Sequence, residues 1–94
     1  MAGPARAVST LEAEFVRADL DAAAAMLDFA EDESLFGTLE GARRALADAD
    51  RACADGQERL ARLNAADRGR LGPRIANLRG AIDRMQPRFG PSTS

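Results

Sequence analysis

Histidine, lysine, tryptophan and tyrosine are all absent from this 94-residue chain, and cysteine occurs once. Without imidazole the chain cannot by itself supply histidine acid–base catalysis, a Ser-His triad or a His-containing metal site. The di-iron helical-bundle pattern, in which a Glu is followed three residues later by His, fails for the same reason. Without lysine there is no G-x-x-x-x-G-K phosphate-binding loop. A lone cysteine closes no internal disulfide, whereas small secreted domains are commonly stapled by several. Long apolar runs are missing too: the longest is Ala22 to Leu27, against the roughly 20 predominantly apolar residues that a spanning helix needs. Met1 to Arg6 leads into a charged amphipathic stretch with no central apolar block of the secretory kind. A cytoplasmic location with no membrane partner is therefore expected.

An enzyme built from these residues would have to work with carboxylates and arginine. The densest acidic group, Asp28, Glu31, Asp32 and Glu33, falls near a helix end and reads as a solvated face rather than a Mg or Ca site. No catalytic residue, cofactor or metal ion is expected.

What is present is an alanine-rich, arginine-rich chain long enough for one domain, since domains usually take about 100 to 200 residues. Alanine makes up 21 of the 43 apolar residues, leaving 22 larger side chains for a small core. All 13 basic residues are arginine, and the bias toward Ala, Arg, Gly and Asp is that of a GC-rich coding sequence, which points to a bacterial source. Apolar spacing sets the fold class, because alternating steps of three and four keep side chains on one helical face whereas a strand needs period two. Leu39, Ala42, Leu46, Ala49, Cys53, Gly56, Leu60 and Leu63 follow that rule, as do Leu71, Ile75, Leu78, Ile82, Met85 and Phe89. Cys53, on the first of these seams, reads as a small buried hydrophobe.

The first helix is expected from about Ser9 to Glu33, with a broad apolar face of Leu11, Phe15, Val16, Leu20, Ala23, Met26, Leu27, Phe29 and Ala30 that meets two neighbours. Ser9 or Thr10 would cap it. Ser34 to Thr38 reads as the break, with Thr38 capping the second helix, which ends near Leu63. Asn64 with Asp67 three residues on has the form of another cap. A proline inside a helix costs about 3 kcal/mol, so the spacing predicts a short helical turn over 65–71 and a third helix starting at Gly72-Pro73. Residues 1–8 and 86–94, with three of the four prolines, read as flexible tails around a 9–85 domain. The fold class is thus all-α, an antiparallel three-helix bundle running up-down-up, its first two helices long and Ala-rich.

Residues 23–56 resemble a single tetratricopeptide-type helical hairpin. Ala30, Ala42 and Ala49 fall where that family uses small residues to bring its two helices together, Leu46 falls at a large apolar site, and Phe29 also fits. Met26, Glu33 and Ala54 stand where the family favours Trp, Tyr and Pro. The resemblance implies a scaffold that binds segments of partner proteins, although solenoids of this kind need about three repeats and this chain holds one at most.

Charge is polarised along the chain. Residues 1–50 hold 11 acids and 4 Arg, and residues 51–94 hold 4 acids and 9 Arg, giving −7 and +5. Arg70, Arg74, Asn77, Ala81, Arg84 and Arg88 recur at helical spacing, forming a candidate interaction ridge along one flank of helix three. The ridge either grips the phosphates of RNA or DNA or matches the acidic first helix of the same chain or of a twofold-related copy. Nucleic-acid domains usually combine net positive charge with stacking aromatics. Here the net charge is −2 with four Phe, mostly at core positions, so nucleic acid is the disfavoured partner. Asp19, on the apolar face of helix one, is a candidate buried or interface acid and should meet an Arg of helix two or three. The reading as a whole is a non-enzymatic helical protein–protein interaction module, expected to bind a protein partner or form a homodimer. An RNA- or DNA-binding helper using Arg70, Arg74, Arg84 and Arg88 is the alternative.

Overall fold

Thr38 and Asn64 divide the chain into three antiparallel helices. In the computed structural model, which describes residues 3–89 and side chains from residue 11 onward, these are α1 (Gly3–Phe36), α2 (Leu39–Leu60) and α3 (Ala65–Met85), closed by a 3-10 turn at Gln86–Phe89. The bundle is all-α and runs up-down-up. At the first break Thr38 adopts an extended conformation, φ −116° and ψ 150°, and its hydroxyl accepts the Gly41 N–H at 2.9 Å. Glu33, in the last turn of α1, accepts the Thr38 N–H at 2.9 Å, so two backbone donors at the start of α2 are satisfied by side chains. At the second break Asn64 Oδ1 accepts the Asp67 N–H at 2.9 Å.

The small residues decide how closely α1 and α2 approach. Ala23, Ala30, Ala42, Ala45 and Ala49 are buried in their contact, which is the most extensive in the molecule. At Gly56 the approach is close enough that a Cβ would lie 3.3 Å from Leu20 Cδ2 and 3.4 Å from the Asp19 Cβ, so that Leu20 would have to give by a few tenths of an ångström. Helix α3 brings the bulk that the alanines do not: Leu71, Ile75, Ile82 and Met85, with Leu63 before it and Phe89 after it, close the core over Val16, Leu20 and Cys53.

Helix α1 begins at Gly3, so Ser9 and Thr10 lie within it rather than capping it, and residues 3–8 of the expected N-terminal tail are helical, while residues 1 and 2 lie outside the described residues; Pro4 is tolerated because first-turn N–H groups have no intrahelical partner. The helix also continues past Glu33 to Phe36, while α2 stops at Leu60. No separate turn precedes helix three: α3 is continuous from Ala65 and carries Pro73 in its interior. Gly72 eases one part of the cost, since the proline ring disfavours helical backbone in the preceding residue partly through that residue's Cβ, while the missing Pro73 N–H still leaves the Gly69 carbonyl without its intrahelical donor. Residues 86–89 belong to the fold as well. The Phe89 side chain is buried, and its carbonyl accepts Arg43 Nε at 3.0 Å and Nη2 at 2.6 Å. The remainder of the expected C-terminal tail, residues 90–94, lies outside the described residues.

Candidate functional site

The arginine ridge is divided among partners inside the chain. Arg74 pairs with Asp21 of α1 at 2.6 Å, and Arg88 with Glu31 of α1 at 2.6 Å. Arg70 turns back to Asp67, one turn earlier in α3. Asn77 and Arg84 are exposed and have no side-chain partner among the described residues. Arg88 stands in the 3-10 turn rather than on α3, so the ridge is not one continuous helical flank. The basic residue that crosses to α2 is Arg79, which meets Asp50 and which the spacing argument did not single out.

Asp19 faces α2 with its side chain 26% exposed, and its Oδ2 lies 3.2 Å from Arg59 Nε. That approach is an ion pair by distance without hydrogen-bond geometry, for Asp19 Oδ2, like Glu12 Oε2, has no hydrogen-bond partner. Burial pushes the Asp19 carboxyl above its ordinary pKa; Arg59 opposes the shift and Asp55 adds to it. Cys53 is fully buried, and burial raises its thiol pKa likewise. Within the acidic group near the end of α1, Glu31 is held by Arg88 and Glu33 by the Thr38 N–H. Among the described residues no group of acidic or sulfur side chains is placed to hold a metal ion, and no helix is long and apolar enough to cross a membrane.

The feature that stands out is apolar. Instead of one broad face, α1 carries two stripes. Ala13, Val16, Leu20, Ala23, Leu27 and Ala30 are buried against α2 and α3. Leu11, Phe15, Ala18, Ala22, Ala25 and Phe29 recur at steps of 4, 3, 4, 3 and 4, and all six are exposed. Phe36 ends this second stripe at 86% exposure. The four phenylalanines are therefore not mostly core: Phe89 is buried, while Phe15, Phe29 and Phe36 are exposed. Leu39, expected on the α2 seam, is also exposed at the tip of the hairpin, together with Leu35. Beside the stripe, on the side of the α1–α2 hairpin that α3 does not cover, Met26, Phe29, Ala45 and Asp48 line a hollow of about 270 Å³. A second hollow of about 230 Å³ lies between Phe29, Asp32 and Phe36. At the other end the Arg59 guanidinium sits 5.2 Å from the centroid of the Phe15 ring.

Leu11, Phe15 and Phe29, expected on the core face of helix one, lie outside it together with the alanines between them. The signal was present as an uninterrupted row without a charge from residue 11 to residue 29. No family model, curated protein or solved structure matches the chain.

Proposed function

We propose that the chain is a cytoplasmic, non-enzymatic helical protein–protein interaction module that docks helix to helix and associates with copies of itself. One observation carries this reading: an apolar stripe runs along α1 on the side that α3 leaves open, with no helix over it among the described residues. Contiguous exposed apolar surface of this size commonly marks an interaction site. The tetratricopeptide resemblance belongs to the same proposal, since Ala30, Ala42 and Ala49 are buried between α1 and α2 and leave Phe29 on the open side.

The nucleic-acid alternative gains no comparable support. Two of the four ridge arginines face carboxylates of α1 and a third faces Asp67, which favours charge matching within the chain. The exposed phenylalanines lie on α1, and the cation beside one of them is Arg59 of α2 rather than a ridge arginine. Replacing Arg70, Arg74, Arg84 and Arg88 with Gln separates the readings. A docking module stays folded, because exposed ion pairs contribute about 0–1 kcal/mol each. It should bind mixed RNA or duplex DNA no more tightly than the roughly 10⁻⁴ to 10⁻⁶ M of non-specific contacts at physiological salt. Submicromolar nucleic-acid binding that disappears in the folded four-Arg variant would overturn the proposal.

A further inference from the structure

We infer that the uncovered stripe of α1 is a twofold self-docking site, on which α1 of a second copy of this chain packs antiparallel with Ala22 at the axis. The inference rests on the module reading above and names its surface, its occupant and its symmetry.

About Ala22, the stripe reads nearly the same in both directions: Ala18 and Ala25 flank it, and Phe15 and Phe29 stand seven residues away on either side. A twofold contact requires self-complementarity, because each residue i that meets j is mirrored by j meeting i. An antiparallel pair of α1 helices centred on Ala22 therefore sets Phe15 of each copy against Phe29 of the other. Such aromatic pairs favour offset or edge-to-face contact. The three central alanines allow the helix axes to come close, as the buried alanines already do between α1 and α2. The hollow of about 270 Å³ beside Phe29 and Met26 lies where the second copy's Phe15 arrives, and it falls below the roughly 300–1,000 Å³ of small-molecule pockets.

Area supports the same occupant. Leu11 is 53%, Phe15 44%, Phe29 50% and Phe36 86% exposed. With about 150–250 Å² for each fully exposed aromatic and the exposed alanines between them, the stripe offers on the order of 600 Å². A standard interface takes about 800 Å² from each partner, so the stripe supplies most of one side, with the carboxylates Glu14, Asp21 and Asp28 along its margin. No charged side chain interrupts the row between Leu11 and Phe29, so this packing desolvates no ion at its centre.

Sedimentation or light scattering on the full chain, from micromolar to near-millimolar concentration, reads the outcome. The expected mass rises to twice the 10.0 kDa of one chain. Ala22→Glu places two like charges against each other at the axis and should return the single-chain mass with helicity unchanged, because position 22 is exposed and Glu is a good helix former. Ala54→Glu, at an exposed position of α2, should leave the dimer intact. Under oxidised glutathione, Ala22→Cys should cross-link into a covalent dimer while Ala54→Cys does not, because only the axial position brings a residue against its own copy. A dimer that survives Ala22→Glu, or that fails to cross-link through Ala22→Cys, overturns the inference alone and leaves the module reading standing. A chain that stays at 10.0 kDa throughout overturns the inference and the self-association in that reading together.

Discussion

The two apolar stripes of α1 are close in composition and opposite in fate. Val16, Leu20 and Leu27 on one are buried, while Leu11, Phe15 and Phe29 on the other, the larger side chains on average, are exposed. Hydrophobicity along a helix states what can be buried; where the third helix lands decides what is. Helix α3 follows the side of the hairpin reached through Arg74–Asp21 and Arg88–Glu31, and the chain has no fourth helix among the described residues to cover the other side. A helix with two apolar stripes and one covering layer is a hairpin with one face left over.

Substitutions on the two stripes should separate them most sharply. Leu20→Ala or Ile82→Ala, both at fully buried positions, should lower unfolding free energy in denaturant by about 2–5 kcal/mol. Phe29→Ala at dilute, monomeric concentration should stay within about 0.5 kcal/mol of the parent. Equal losses would mean that the second stripe is not open. Gly56→Leu comes next, with an expected loss of about 1–3 kcal/mol from overpacking. Gly69→Ala on α3, where a Cβ meets nothing within 4 Å, should instead gain about 0.5–1 kcal/mol. Thermal melts of the pair test whether close approach is confined to the α1–α2 seam. Thr38→Ala and Asn64→Ala should each cost about 1 kcal/mol through a lost cap, measurable as a shift in urea midpoint.

The smallest effect concerns Asp19, at the border between the stripes. Its folded pKa lies above the ordinary value of 3.8, with burial as the leading cause. The folded state therefore holds this proton more tightly than the unfolded chain does, and the group's contribution to stability declines as pH rises from about the unfolded pKa through the raised folded one. Asp19→Asn removes that decline. Its stability relative to the parent should grow between strongly acid and neutral pH, as read from paired denaturant titrations. A difference that shrinks over the same range would show that the Arg59 contact, rather than burial, dominates.

Much of the fold was legible because its signals are local. Thr38 and Asn64 act as caps through side chains that reach backbone donors three residues away, and the Leu46, Ala49 and Cys53 row lies buried as its spacing implies. Pro73 does not end its helix because the local penalty of an interior proline is set against the burial of Leu71 and Ile75 on either side of it, which is a tertiary term. The anchoring of Phe89 by Arg43 gave no signal, for the two are 46 positions apart. The ridge shows a similar limit: helical spacing put Arg70, Arg74, Arg84 and Arg88 on a common flank, but their partners depend on which helix lies alongside.

Periodicity and capping are properties of neighbours along the chain, so the residues alone determine that this protein forms three amphipathic helices, reversing at Thr38 and Asn64. Which of two apolar stripes is buried, which carboxylate each arginine reaches, and whether residues 86–89 dock or extend are settled between segments distant in sequence. Those choices are made by packing, because α3 can lie against one side of the α1–α2 hairpin only, and its side chains together with that side's alanines fix the distance and register at which every other pair can meet.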